Sequence, residues 1–434
     1  MSLRPWLPTV VFVYGAAVVV AVTAPAIADT PKPAGTATTA LPAPTGSVTQ
    51  IVVSGGTRSL FKIAIPEWGG DADASRQGVE TAGRDFMLSS LFQVLDPKSF
   101  TANLAAEGNT IDPTSWRNVG ADGVIKGFTA ARGATTHVEL RLFVVSRGSA
   151  EMLKREYDVA PGNVRSAVHQ FVNEVIKWFT GTAGSFGTRL VFSATTGRGQ
   201  KGIFAIENDG QGLGRLTTSS NVALAPAIGP GGAVYYAGGN PDGTYGLFRI
   251  GAPAPVIRQS GLVFGVSFYG AKMALVLSQN GQSDIWVGGA DGSNLTKFTS
   301  GGLNTHPAFG PGGQLAYVSN AGGNPQIYVD GKKVSSAGTY NMAPVWCNDP
   351  GGTKILFMGR DGATWDIFSI SPDGSNMKRL TQNQGSNTYP SCSPDGRMVA
   401  FFSTRGGLYT SNIAGLNQQK ISTVQGESLR WEGN

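Results

Sequence analysis

A unit of about forty residues, repeated along the second half of this 434-residue chain, constrains its fold more than any other feature. Each unit opens on a short strand and a Gly/Pro turn: Pro226-Ala-Ile-Gly-Pro-Gly-Gly, Pro307-Ala-Phe-Gly-Pro-Gly-Gly, Pro344-Val-Trp-Cys-Asn-Asp-Pro-Gly-Gly and Pro390-Ser-Cys-Ser-Pro-Asp-Gly, with degenerate copies anchored at Val266 and Leu429. Three further strands follow in constant order, as in Leu315-Ala-Tyr-Val-Ser, Ile327-Tyr-Val and Lys333-Val-Ser. Four short strands per unit predict the blades of a β-propeller. The strand at Leu190 precedes the first complete anchor, whereas the anchor at Leu429 has no second strand after it. These two fragments complete one blade, so the sequence predicts six blades over 181–434. The ring is then closed by pairing Leu429–Trp431 beside Leu190–Ser193, which leaves only short edges.

The rest of the chain divides by composition. Arg4, the apolar run Val10–Val22 and the small residues Ala26-Ile27-Ala28 read as a signal peptide over 1–28. The run is short of the roughly 20 apolar residues a bilayer span requires. Residues 29–47 are Pro, Ala, Thr and Gly with almost no large apolar side chains, and read as a flexible arm that cannot offset the entropy of ordering. Over 48–180 strands alternate with helices. Val138, Leu140, Leu142 and Val144 show the period of a half-buried strand, and Val164, Val168, Phe171, Val175 and Trp178 that of an amphipathic helix over 163–180, with Asn163 as its cap. Further strands are expected at 50–54, 60–65, 92–95, 123–129 and 152–159, and a helix over 75–91. The fold class expected is an α/β N-terminal domain plus an all-β six-bladed β-propeller.

The chemistry is sparse. Three histidines, His137, His169 and His306, and no metalloprotease, nucleophile-elbow, phosphate-loop or dinucleotide motif leave no catalytic constellation, no metal site and no cofactor to assign. His137 and His169, in a strand and a helix, read as structural. The Asp-Gly pairs lack the ligand spacing of a calcium loop and read as turns. A net charge of +6 arises from scattered basic residues without aromatic interleaving, which argues against nucleic acid. Cys347 and Cys392 fall one position apart in the repeat frame, on opposite sides of a strand, which argues against a disulfide unless a bulge shifts the frame. The aromatic residues two after the anchors, Phe268, Phe309, Trp346 and Trp431, are expected to pack blade on blade. Function is then expected on loops carried by a rigid scaffold.

These features together resemble the TolB family, the periplasmic propeller component of the Tol-Pal system. The resemblance is carried by Pro390-Ser-Cys-Ser-Pro-Asp-Gly-Arg-Met-Val-Ala-Phe-Phe-Ser, by Lys62-Ile-Ala-Ile-Pro-Glu-Trp, by Leu88-Ser-Ser-Leu-Phe-Gln-Val-Leu-Asp and by the segment from His169 through Trp178 to Phe192. It implies a periplasmic scaffold, monomeric and peripheral to the envelope membranes, that works by binding proteins and not by catalysis. The implied partners are the peptidoglycan-associated lipoprotein Pal, on the propeller, and TolA, at the N-terminal region, in support of outer-membrane integrity and constriction at division. The loops entering three neighbouring inner strands place Asn304, Thr305 and His306, then Asn341 and Met342, then Asn387, Thr388 and Tyr389 at one mouth of the channel. The Asn-Thr-x-Pro pattern at Thr305 and Thr388 is similar to the family's mouth loops, which implies Pal contact at these eight positions. A glycan or small ligand held in the channel, and a peptidase-type propeller lacking its hydrolase domain, are the alternatives.

Overall fold

The computed structural model describes residues 60–433 apart from 101–103, 105–106, 219–221, 241–242 and 259–261. The signal peptide, the arm and the strand expected at 50–54 lie outside the described residues. Residues 61–180 build a sheet in the order β3 (Phe92–Val94), β1 (Phe61–Ala64), β4 (Gly123–Arg132), β5 (Thr135–Val144), β6 (Glu151–Val159), with the short β2 (Gly69–Gly70) beside β4. The first three of these are parallel neighbours and the last three antiparallel. Two long helices, α1 (Ala72–Ser89) and α3 (Val164–Thr180), pack on the sheet, and a short α2 (Pro113–Asn118) starts at a Pro capped by Asp112. Asp71 caps α1 by accepting from the Ala74 amide at 2.9 Å. Asn163 occupies the cap position of α3 but its side chain makes no capping bond. The apolar stripe of α3 is the expected one: Val164, Val168, Phe171 and Val175 are buried against Val138, Leu140 and Leu142 of β5.

Six four-stranded antiparallel sheets follow. Blades 1 to 5 begin with the inner strands Ala223–Ile228, Leu262–Tyr269, Asn304–Phe309, Tyr340–Asp349 and Asn387–Cys392. Blade 6 takes its inner strand, Glu427–Trp431, from the C-terminal end and its other three, Arg189–Gly197, Gln200–Glu207 and Gly214–Arg215, from the start of the repeat region. Arg430 pairs with Val191 and Trp431 with Leu190. The Arg189 guanidinium makes two 3.0 Å bonds to Glu432 across the same seam, and Lys201 pairs with Glu427 at 2.6 Å.

Every inner strand carries a bulge at the same place. The residue before the anchor is left-handed in all six: Ala225, Gly265, His306, Ala343, Tyr389 and Ser428, with φ between 48° and 58°. Only one is glycine, so five blades hold an L residue in a conformation that disfavours side chains, a cost the surrounding ladder must over-determine.

Cys347 and Cys392 form a disulfide, with Cα atoms 5.5 Å apart, contrary to the sequence expectation. The register reasoning was right about the faces and wrong about their meeting. Trp346, two after its anchor, faces the preceding blade and donates from Nε1 to the Ala308 carbonyl at 2.8 Å. Cys347, one further on, therefore faces the following blade, and Cys392, two after its own anchor, faces back toward it. Blades stack face to back, so an odd offset in the repeat frame brings side chains together. The bridge closes a separation of 45 residues. The loop-entropy relation puts its contribution at about 4 kcal/mol at most, less whatever the blades already restrain. Replacing both cysteines by alanine is expected to lower the melting temperature by about 5–10 °C, at a few degrees per kcal/mol. Calorimetry showing an unchanged transition would mean that packing alone holds blades 4 and 5 together.

Candidate functional site

Antiparallel connectivity gives the ring two unlike faces. Inner strands start at one face, and the turns joining first to second and third to fourth strands lie at the other. The N-terminal domain sits on this second face, over blades 5 and 6. Asn417 donates to the Met87 carbonyl at 2.9 Å and to Ser90 at 2.8 Å, Arg397 donates to Thr180 at 2.8 Å, and Arg84 reaches the Asp209 carbonyl. The described residues of that domain leave uncovered the face on which the inner strands begin.

The residues proposed from sequence lie on that uncovered face, but in strands and not in loops. Asn304, Asn341 and Asn387 are at most 2% exposed. Each is a staple between blades. Asn304 donates to Asp284 at 3.0 Å, Asn341 to Gln326 at 2.6 Å and Asn387 to Asp366 at 3.5 Å, in each case a residue on the third strand of the preceding blade. The same acceptors take a hydroxyl from Thr299, Ser335 and Thr381, which in turn accept the amides of Ile285, Ile327 and Ile367. The recurrence of Asn three residues before the anchor thus gives a buried acceptor of the preceding blade a donor in three neighbouring blades, and these three side chains are buried between blades. Thr305, His306, Met342, Thr388 and Tyr389 are half-buried. Tyr389 also packs against the hydrophobic clusters of the neighbouring blades, so it is less a free surface group than its sequence position suggested. Sequence reasoning missed the exposed apolar groups of this face: Leu303 is 46% exposed and Phe298 44%, in the connection from blade 2 to blade 3, and Tyr340, which opens blade 4, is 38% exposed.

His306 and Tyr389 sit near Arg430 in the channel. Burial, reinforced by the Arg430 charge, lowers the His306 pKa to about 4, so the ring is neutral at physiological pH. Burial pushes the Tyr389 phenol up to about 12. These groups are partly open to water yet walled by protein, as residues of a narrow channel are.

A second polar cluster joins the two domains. His169 on α3 hydrogen-bonds through Nδ1 to Asp85 of α1 at 2.6 Å, and its Nε2 lies 3.6 Å from Glu207 and 3.9 Å from Asp209 of blade 6. Arg165 donates to Glu207 at 2.5 Å and to Asp209 at 2.7 Å. Burial alone would lower the His169 pKa. The charge and hydrogen bond of Asp85, with Glu207 and Asp209 behind them, outweigh it and raise the value to about 9. Burial pushes Asp85 up to about 6 against the pull of His169, which leaves it ionised at neutral pH. Asp85, His169 and Asp209 bring ligand-type atoms within 4.8 Å of one another. The Arg165 guanidinium already takes the cation's place on the Asp209 side. No sequence signal marks this cluster, because its members are separated by up to 124 positions, from Asp85 to Asp209, and meet only through docking.

The TolB amino-terminal domain family matches residues 49–150, and the TolB beta propeller domain family matches residues 176–430. A protein named TolB homolog from Chlorobium luteolum is 30% identical over 380 residues, covering 83% of this chain and 86% of its own length. The Tol-Pal system protein TolB of Anaeromyxobacter dehalogenans is 33% identical over 261 residues, covering 58% of this chain and 59% of its own length, so the match spans less than two thirds of that relative. The crystal structure of TolB from Acinetobacter baumannii superposes with a TM-score of 0.69 at 22% identity, over 86% of this chain and 97% of that one, and shares the fold. With both domain families matched in order and the same six-bladed ring behind an N-terminal domain, this chain belongs to the TolB family.

Proposed function

We propose that this chain is a periplasmic, non-catalytic scaffold of the Tol-Pal system that captures Pal at the uncovered propeller face and engages TolA through its N-terminal region, in support of outer-membrane integrity and constriction during division. Export through the 1–28 signal and cleavage after Ala28 belong to the same reading, as do the 29–47 arm and the domain limits near 180. The observation that carries it is the contrast between the faces. One is occupied by the N-terminal domain, while the other presents Leu303, Phe298 and Tyr340 to solvent around half-buried Thr305, Met342 and Thr388. Apolar groups rimmed by short polar ones are the anatomy of a protein interface.

Pal binding measured calorimetrically on the purified chain tests this. Leu303→Asp and Tyr340→Ala, both at exposed positions, are expected to weaken Pal roughly thirty-fold, the scale of a ~2 kcal/mol hot spot. Their melting temperatures should stay near the parent's, since exposed side chains contribute little to stability. Thr305→Arg should act in the same direction. Parent-like affinity in all three variants would remove this face from consideration.

A further inference from the structure

The residues that follow the six anchors are Ala227, Ser267, Ala308, Val345, Ser391 and Arg430. All six line one cavity of about 230 Å³ in the propeller channel. Five are small, and the sixth is the longest cation a protein has. The cavity continues past Phe309, Gly310 and Pro311 toward the face that bears the hairpin turns, away from the surface proposed for Pal.

Arg430 has no carboxylate partner among the described residues. Its one hydrogen bond there runs from Nη1 to the Leu429 carbonyl at 2.8 Å, and the nearby Glu427 is taken by Lys201. Burial in the channel lowers its pKa to about 10, which leaves it charged at any physiological pH. Two hydroxyls lining the same cavity are half-satisfied. Ser267 accepts the Phe309 amide at 2.9 Å and Ser391 the Trp431 amide at 2.8 Å, and neither hydroxyl proton has an acceptor among the described residues. A walled guanidinium with free N–H donors and two unused O–H donors lacks only an oxygen-rich counter-charge. In such surroundings an ion pair is several times stronger than in bulk water.

We propose that this ring is a binding site for one small oxyanion, of the carboxylate or phosphate class, held by Arg430 with Ser391 of the adjoining blade, while Ser267 lines the same cavity from across the channel. A phosphate or a short dicarboxylate fits the volume, and both supply acceptors enough for a two-pronged guanidinium contact.

The test is titration of inorganic phosphate, and separately malonate, into the full chain at constant ionic strength, read by calorimetry and by tryptophan fluorescence, since Trp346 and Trp431 also line the cavity. Saturable one-to-one binding of either anion is expected, and which of the two binds identifies the class. Arg430→Gln should weaken it at least tenfold without lowering the melting temperature, because it removes a buried charge that has no counter-charge. Lys297→Gln, on the outer strand of blade 2, should bind like the parent. Failure of both anions to bind saturably, or parent-like binding by Arg430→Gln, overturns the proposal. If the glutamine variant does not fold, Arg430→Lys decides: weakened binding supports the site, and unchanged or absent fluorescence response to ligand in parent and variant alike counts against it.

Discussion

Deletion of Glu427–Asn434 is expected to abolish the cooperative melting of the propeller, not merely to fray one end. Those residues include the whole inner strand of blade 6, so their loss exposes the ladder edge of Arg189–Gly197 and removes two fully buried side chains, Leu429 and Trp431, at 0% and 1% exposure. It also breaks contacts to the preceding blade and to the segment that leads into blade 6 itself. The Trp431 amide donates to Ser391 of blade 5, and its Nε1 donates to Thr188 at 2.7 Å. A point substitution separates side-chain loss from strand loss. Trp431→Ala should cost about 3–5 kcal/mol, or about 10 °C for a unit of this size, and keep a single transition. The truncation should broaden the transition and speed hydrogen exchange in blades 5, 6 and 1 together. A truncated protein that melts as sharply and as high as the parent would show that the seam does not hold the ring.

The docking of the N-terminal domain should weaken as pH rises, the reverse of ordinary acid sensitivity. His169 has a pKa raised from an unperturbed 6.5 to about 9. The folded protein therefore holds this proton more tightly than the unfolded chain. Its contribution is complete below pH 6.5 and is lost as pH climbs through about 9. At ~1.4 kcal/mol per pKa unit the loss amounts to a few kcal/mol. Arg165 is held charged and Glu207 is held ionised by their mutual contact, and Asp85, raised to about 6, completes its ionisation at the acid end of this window, so the imidazole is the group whose charge changes as pH climbs toward 9. Denaturant unfolding at pH 6.5, 7.5, 8.5 and 9.5 should show declining stability in the parent and a much flatter profile in His169→Gln. Removing the partner is more severe. Asp85→Ala strips a 0%-exposed carboxylate from a buried pair, a change that costs about 3–5 kcal/mol. A parent whose stability is flat or rising from pH 6.5 to 9.5 would mean that His169 is neutral in the folded state.

Local periodicity determined most of the architecture. The anchors at 226, 266, 307, 344, 390 and 429 became six inner strands, and the split blade followed from counting fragments, because a closed ring admits no unpaired strand. The helix over 163–180 and the strand around Val138–Val144 were legible for the same reason: one buried face imposes a period on the chain. What tertiary structure alone decided are the relations between units. The strand pattern says which side of a blade a side chain takes, but not that neighbouring blades stack face to back, and so Cys347 and Cys392 looked incompatible when they are bonded. The Asn three residues before the anchor in three neighbouring blades looked like a surface motif, and proved to be buried by the third strand of the blade before it. His169 read as an ordinary helical residue, and became charged only when α1 and blade 6 surrounded it with three carboxylates. In each case the missing quantity was burial by a distant part of the chain. A side chain's pattern records the face it takes within its own element, whereas its charge state and its partner depend on which other element closes over it.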